Sequence, residues 1–159
     1  MDYNLKVLID ANVFIDYIQK RPIGFTGAFS IFALSAREVI RLLVTDLTIA
    51  NMKYSLRKDI PAAEFYETIK GLRELFVIIP IGEKCVDQAL AVEARDFEDA
   101  LQYFAAEQAG VDCIVTRNTK DFVFGNTVEV LEPHDFLTKV FSRRTVVIER
   151  HNKKHDEYN

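Results

Sequence analysis

The sequence predicts an α/β fold with a mostly parallel central sheet that is covered by helices on both faces. Two observations support this prediction. Short apolar runs of strand length alternate with longer segments of helical periodicity, and such alternation implies right-handed crossovers between parallel strands. Two of the apolar runs end in polar residues, first Asp10 and later the segment from Arg117 to Asp121, where open parallel sheets bind their ligands.

The first half of the chain contains three predicted strands. The first two are the apolar run Lys6–Ile9 and the β-branched run Val39–Val44. The third, Phe76–Ile81, is continuous, apolar and too short for a buried helix, which predicts a buried strand. Apolar residues at intervals of three and four predict helices over Asn12–Gln19, Thr26–Glu38, Thr45–Lys58 and Ala62–Leu75.

The second half continues the alternation. Helices are predicted over Glu83–Ala94, from Asp96 to Gln108 and over Pro133–Phe141, and strands over Asp112–Thr116 and Val128–Leu131. Asp96 has the place of a helix cap, and Gly110 that of a C-terminal glycine. We expect one domain over residues 1–141. The extension 142–159 is predicted to form an edge strand over Thr145–Arg150 and then a polar tail.

Composition limits the class of protein. With 159 residues, of which 49% are hydrophobic, the chain has the size of one ordinary domain. No window approaches the roughly 20 apolar residues of a membrane span, so we predict a soluble, cytoplasmic protein. Cys85 and Cys113 lack metal-ligand spacing and are expected to be buried thiols. The net charge of −4 argues against a broad electrostatic grip on nucleic acid but allows a local basic rim.

Acidic residues stand at the ends of several predicted elements. Asp10 follows the first strand, Asp96, Glu98 and Asp99 open a helix, and Asp121 follows the strand that ends at Thr116. Carboxylates that are distant in sequence but placed at strand and helix ends favour one oxygen-lined pocket for a hard divalent cation.

Three segments resemble the PIN-domain nucleases, a family that includes the VapC-like toxin ribonucleases of toxin–antitoxin pairs. They are Val7–Asp16, Asp96–Gln102 and Ile114–Phe122. The resemblance implies a three-layer α/β/α sandwich and Mg²⁺- or Mn²⁺-dependent hydrolysis of RNA phosphodiester bonds. It also implies an antitoxin protein as partner and pairing as a homodimer.

Carried over by position, the resemblance implies that Asp10 and Asp99 are metal-binding, catalytic acids, and that the stretch from Asn118 to Asp121 supplies the remaining pocket wall. Two positions depart from the family's acidic pattern, namely Asn51 and Asn118. An amide oxygen can ligate a metal but supplies no charge and no general base. Asp121 is the best candidate to compensate, because it lies one helical turn from Asn118.

Other polar residues of these segments have competing interpretations. Asp10 could instead cap the first helix, and Asp96 is assigned to capping. Glu98 could compensate for the missing acids or be a surface acid favoured by the helix dipole. Asn12 and Asp16 are expected to cap and solvate the first helix.

The residues that follow the later strand have interpretations of their own. Thr116 either hydrogen-bonds a carboxylate or packs at the strand end. Arg117 and Lys120 flank the pocket and are candidate RNA contacts.

The favoured hypothesis is therefore a metal-dependent endoribonuclease, with Asn51 and Thr116 as further pocket residues. In the alternative hypothesis, the protein has the same fold but is not catalytic, because asparagines replace two of the acids. It would then be an RNA-binding or protein-interaction module. A third class, the haloacid-dehalogenase phosphotransferases, also begins with a strand that ends in aspartate. Those enzymes need a second acid two residues later, where this chain has Asn12.

Overall fold

Five parallel strands form the central sheet of the protein, whose computed structural model describes residues 5–142. In space the strands follow the order β3-β2-β1-β4-β5. Apolar, largely β-branched segments form them, as expected for strands with both faces covered. The strands are β1 (Leu5–Ile9), β2 (Ile40–Thr45), β3 (Val77–Ile79), β4 (Cys113–Val115) and β5 (Glu129–Leu131).

Helices cover both faces of this sheet. Val7 and Ile9 of β1 belong to one hydrophobic core, together with residues of α1–α4 and α7, whereas Leu8 belongs to a second core formed with α5 and α6. The predicted three-layer α/β/α sandwich is therefore confirmed. The helices are α1 (Ala11–Ile18), α2 (Phe25–Ala36), α3 (Asp46–Ser55), α4 (Ala62–Leu72), α5 (Glu83–Val92), α6 (Phe97–Gln108) and α7 (133–142).

The strand order positions the polar residues that follow β1 and β4. These two strands are neighbours, and Ile9 pairs with Val115. Asp10 and Thr116 therefore leave the sheet side by side. Connections run from β1 towards β2 on one side and from β4 towards β5 on the other, so a crevice opens between them at the carboxyl edge of the sheet.

The predicted buried strand over Phe76–Ile81 is wrong in its burial. The strand is limited to Val77–Ile79. Among the described strands it lies at the edge of the sheet and pairs with β2 alone. Val77 is exposed, and the next two residues are half-buried. An apolar run indicates a strand but does not reveal whether neighbours flank it on both sides.

Three further expectations concern the cysteines, a membrane span and the C-terminal extension. Cys85 and Cys113 are buried and not joined in a disulfide. In the stretch from 5 to 142, no helix combines the length and apolar character that crossing a bilayer demands. The predicted edge strand over 145–150 and the polar tail lie outside the described residues.

Gly71 offers a small test of the helical assignment. It lies on the exposed side of α4, and a Cβ atom there would meet nothing within 4 Å. Gly71→Ala should therefore raise the free energy of unfolding by about 0.5–1 kcal/mol, because alanine loses less backbone entropy on folding. Gly110→Ala is the matched control and should lower the free energy of unfolding. Gly110 has a φ of 62°, a conformation that is strained for alanine. Urea denaturation measures both, and a destabilised Gly71→Ala would contradict the assignment.

Candidate active site

Asp10 lies at the centre of a hydrogen-bond network in the crevice. Its side chain is 8% exposed. Oδ1 accepts from the backbone N–H of Ala11 at 2.6 Å and from Nε2 of Gln102 at 3.4 Å. Oδ2 accepts from Nδ2 of Asn12 at 2.8 Å and from Oγ1 of Thr116 at 2.9 Å. Asp10 is thus the N-cap of α1 and also an acid oriented by three other side chains, so the two interpretations of this residue are compatible.

The Thr116 hydroxyl has a defined direction. Its oxygen accepts from Nδ2 of Asn12 at 3.1 Å and from the backbone N–H of Asn118 at 3.0 Å. Because both neighbours are donors, the hydroxyl proton points at Asp10. Thr116 is completely buried, and of the two interpretations of this residue the hydrogen bond to a carboxylate is confirmed.

Gln102 is a site residue that sequence reasoning missed. It is buried on α6, donates to Asp10, and accepts from Oγ1 of Thr48 at 3.2 Å. Thr48 is held in turn by Thr45, which caps α3 at the end of β2. A buried glutamine must satisfy both ends of its amide. The signal was available, since Gln102 follows Asp99 by three residues and so shares its helix face.

Asp99 lies on the first turn of α6, and Asp96 caps that helix. Asp96 accepts from the backbone N–H groups of Glu98 at 3.0 Å and Asp99 at 3.1 Å, which confirms its capping role. Burial raises the pKa of Asp99 to about 7, and four negative charges add to the effect. These charges belong to Asp96, Asp10, Asp121 and Glu98.

Burial also raises the pKa of Asp10 above its ordinary value. Hydrogen bonds from Thr116, Ala11 and Gln102 oppose the effect of burial, and the charge of Asp96 adds to it. The structure therefore brings together the acidic residues that the sequence distributes over three segments. Their mutual repulsion shows an excess of negative charge in the crevice.

Both asparagines that depart from the acidic pattern are bonded to a carboxylate. Nδ2 of Asn51 donates to Oε2 of Glu98 at 2.8 Å. Nδ2 of Asn118 donates to Oδ2 of Asp121, which lies in a short 3₁₀ helix after β4. Each missing acid is thus accompanied by an acid from a neighbouring position, and Asp121 is in contact with Asn118 as its spacing predicted.

The expectation that Asp16 solvates the first helix is wrong. Asp16 is 1% exposed, and its Oδ2 lies 2.9 Å from Nε of Arg117. Within the described residues, Oδ1 has no hydrogen-bond partner, and Arg21 lies 3.7 Å from it. Burial raises the pKa of Asp16, while Arg117 and Arg21 act against the rise. Helical periodicity could not show this, because the partner follows β4 and is about a hundred residues distant.

The expectation that Asn12 caps the first helix is wrong, because the N-cap is Asp10 and Asn12 lies within α1. Besides its bonds to Asp10 and Thr116, its Oδ1 accepts from the backbone N–H of Arg117 at 3.2 Å. The segment after β4 is therefore fastened to α1 through both Asn12 and Asp16. The Arg117 side chain remains 43% exposed although it is paired, and Lys120 is exposed.

The donor set of the crevice suits a hard divalent cation. Its charged groups are carboxylates, which Mg²⁺ and Mn²⁺ prefer. Between residues 5 and 142, no three Asp, Glu, His or Cys side chains converge closely enough to hold a metal by themselves. Mg²⁺ commonly uses one or two carboxylates and completes its shell with water and substrate phosphate. Asp10 and Asp99 are the two candidate carboxylates for such a site.

Comparison with known proteins identifies the family. The model of the PIN domain family matches residues 6–120. Among curated proteins, the chain is 28% identical to Ribonuclease VapC1 of Aquifex aeolicus (strain VF5), and the alignment covers 84% of this chain and 94% of the relative.

Solved structures show the same fold. A toxin–antitoxin complex from Klebsiella pneumoniae matches with a TM-score of 0.59 at 24% identity, over 80% of this chain and 97% of that one. VapBC-1 from nontypeable Haemophilus influenzae matches with a TM-score of 0.63 at 15% identity, over 82% and 99%. Since the family model covers most of the chain, the protein belongs to the PIN domain family.

Proposed function

We propose that the protein is a metal-dependent endoribonuclease that hydrolyses RNA phosphodiester bonds. Family membership and the similarity to a curated ribonuclease support this proposal. The geometry adds a crevice that carries acidic side chains at the carboxyl edge of the sheet, where α/β proteins bind ligands.

One observation favours a nuclease over the alternative, a catalytically weakened binding module. Asn51 and Asn118 do not leave the crevice uncharged, because they hold Glu98 and Asp121 at their sides. Both carboxylates contribute to the raised pKa of Asp99. A binding module without a cation would gain nothing from such repulsion, whereas a divalent cation would relieve it.

Asp10 and Asp99 would hold the Mg²⁺ or Mn²⁺ ion, with Asn118 and Asp121 at the same crevice. When bound, such an ion would neutralise phosphate charge and lower the pKa of a water molecule attached to it. The residues of the chain supply orientation. Thr116 and Gln102 direct the Asp10 carboxylate through their hydrogen bonds.

Arg117 and Lys120 lie beside the crevice and offer positive charge to the phosphate backbone of RNA. Each phosphate contact of this kind makes binding weaker as salt concentration rises. We assign Arg117 a second role, because its bond to Asp16 holds the segment after β4 against α1.

We also propose that the chain is the toxin of a toxin–antitoxin pair, acts in the cytoplasm, and is bound there by an antitoxin protein. The fold is shared with proteins of toxin–antitoxin complexes. Homodimer formation stays a prediction from family resemblance, and size-exclusion chromatography with light scattering tests it.

RNA cleavage by the purified protein tests the proposed activity. A mixed pool of structured RNA should be cut with Mn²⁺ or Mg²⁺ and remain intact with a chelator. Asp10→Asn, purified in the same way, should give no cleavage, which excludes a contaminating nuclease. Cleavage that persists with chelator, or that is equal in Asp10→Asn, would refute the proposal.

A negative result also has a defined meaning. If no RNA is cut and millimolar Mn²⁺ does not raise the melting temperature, the crevice does not use a metal. The alternative function, an RNA-binding or protein-interaction module, would then be the better account.

A further inference from the structure

A pocket of about 710 Å³ adjoins the acidic crevice. It lies between the segment that joins α5 to α6 and the segment after β4. Asp96 and Asp121 line it, and the Asp96 carboxylate accepts a hydrogen bond from the backbone N–H of Asp99 at 3.1 Å. The pocket therefore opens beside the proposed catalytic acids. Its volume falls within the roughly 300–1,000 Å³ of pockets that enclose small organic ligands.

The walls of this pocket have two chemical characters. Arg95 and Lys120 are exposed cations, and neither forms a salt bridge with any residue that the structure describes. The remaining wall is apolar and is made by Val92, Ala94, Val123 and Phe124.

The apolar wall is accessible to a ligand. Val92 is 43% exposed and Val123 is 78% exposed. Phe124 is half-buried, and its ring is held by contacts with the rings of Tyr103, Phe104 and Phe122 at centroid distances of 5.8–6.3 Å. Because these contacts already order the ring, it loses little further entropy when a flat ligand packs against it.

The charges of the pocket restrict the ligand further. Two cations face two carboxylates, so the pocket is close to neutral and does not favour a multiply charged anion. A flat, partly apolar body that carries a single negative charge fits both walls. A nucleotide unit within a phosphodiester chain has this composition, because its base can stack on aromatic or apolar side chains and its phosphate carries one charge.

We propose that this pocket binds one nucleotide of the RNA substrate next to the cleaved phosphodiester, with the base against Val123 and Phe124 and the phosphate at Arg95 and Lys120. This inference rests on the proposed ribonuclease function, since it concerns the same substrate. It adds a binding subsite that requires no metal.

Binding of dinucleoside monophosphates to the full chain tests the subsite. The experiment is an NMR titration of the ¹⁵N-labelled protein with ApA or UpU in the presence of chelator. Adenosine serves as the probe without phosphate, and dimethyl phosphate serves as the probe without base. We expect shifts of the amides in 92–96 and 120–124. Each incomplete probe should bind about tenfold more weakly, which is the typical effect of one lost stacking or charge contact.

Variants of the pocket residues provide a second test of the subsite. Arg95→Ala and Val123→Glu should each weaken ApA binding by about tenfold. Arg37→Ala and Ile23→Glu are the matched controls, because Arg37 is exposed at the end of α2 and Ile23 is 98% exposed in the loop before it. Both controls should bind like the unmodified protein.

The inference is overturned if dimethyl phosphate or adenosine binds as well as ApA, if ApA shifts amides elsewhere, or if Arg95→Ala and Val123→Glu leave binding unchanged. Its failure is distinguishable from failure of the proposed function. Nucleotide binding is measured without metal and without cleavage, whereas nuclease activity is measured by RNA cleavage with metal.

Discussion

Asp99→Asn is expected to reduce RNA cleavage by about 100-fold or more and, at the same time, to raise the melting temperature of the metal-free protein. Cleavage should fall because the proposed catalytic cation would contribute several kcal/mol and would lose one of its two carboxylate ligands. Stability should rise because the ionised Asp99 carboxylate is partly buried and is also repelled by four neighbouring acids. A residue that weakens the fold while it serves the reaction is typical of functional sites.

The pH dependence follows from the raised pKa. The carboxyl of Asp99 ionises near 3.8 when unfolded and at about 7 in the folded protein. Between these values the folded state keeps a proton that the unfolded state has lost. The contribution of Asp99 to stability is therefore fully present below about pH 4 and disappears as pH rises through 7. At pH 8, Asp99→Asn should raise the free energy of unfolding by about 1–2 kcal/mol after allowance for solvent screening. This corresponds to a rise of a few degrees in melting temperature.

Thermal unfolding between pH 4 and pH 8, with and without Mn²⁺, measures this effect. The gain of Asp99→Asn over the unmodified protein should grow with pH, and its stabilisation by Mn²⁺ should be largely lost. Asp87→Asn is the matched control, because Asp87 is exposed on α5. A variant that cleaves normally, or one that is destabilised at pH 8, would contradict the proposed role of Asp99.

Gly24→Ala should lower the free energy of unfolding by about 2–4 kcal/mol. A Cβ atom at Gly24 would lie 1.8 Å from Oδ2 of Asp16 and 2.8 Å from its Cβ. Because the Cβ of Asp16 is attached directly to α1, a rotation of the side chain cannot relieve the overlap. The helix must shift, and the buried Asp16 carboxylate must leave Arg117, its partner at 2.9 Å. Overpacking and the loss of a buried ion pair each cost this much.

Urea denaturation of Gly24→Ala measures the loss. Gly82→Ala is the control, since a Cβ there meets nothing within 4 Å and its φ of −95° suits alanine. RNA cleavage should fall as well, because Asp16 and Arg117 hold the segment after β4 that carries Thr116. A Gly24→Ala variant as stable as Gly82→Ala would mean that α1 and the following loop yield more easily than their packing indicates.

The sequence allowed much of the fold to be predicted because the signals of its elements are local. Apolar runs and helical periodicity depend on neighbours along the chain, and β1, β2, β4 and most helices lie within a few residues of their predicted bounds. The prediction failed where burial depends on distant neighbours. β3 is an apolar run like the others, yet its position at the edge of the sheet leaves Val77 exposed.

In the candidate site, too, some features could be predicted from local sequence and others required the structure. Asp10 and Asp99 could be predicted as metal ligands because each lies at the start of a helix within a recognisable motif, and this role stays a prediction. The carboxylates beside Asn51 and Asn118 required the structure, because Glu98 reaches Asn51 from another helix. The direction of the Thr116 hydroxyl also depends on donors from two separate segments.

By itself, the sequence determined the α/β class, the places where strands end in polar residues, and the acids available for a cation, because these depend on residue type and short-range spacing. Only the tertiary structure decided which of these groups meet. The order β3-β2-β1-β4-β5 puts Asp10 beside Thr116, and packing of α1 against the segment after β4 buries Asp16 against Arg117. Such contacts join residues about a hundred positions apart, and their energies depend on burial that local sequence does not specify.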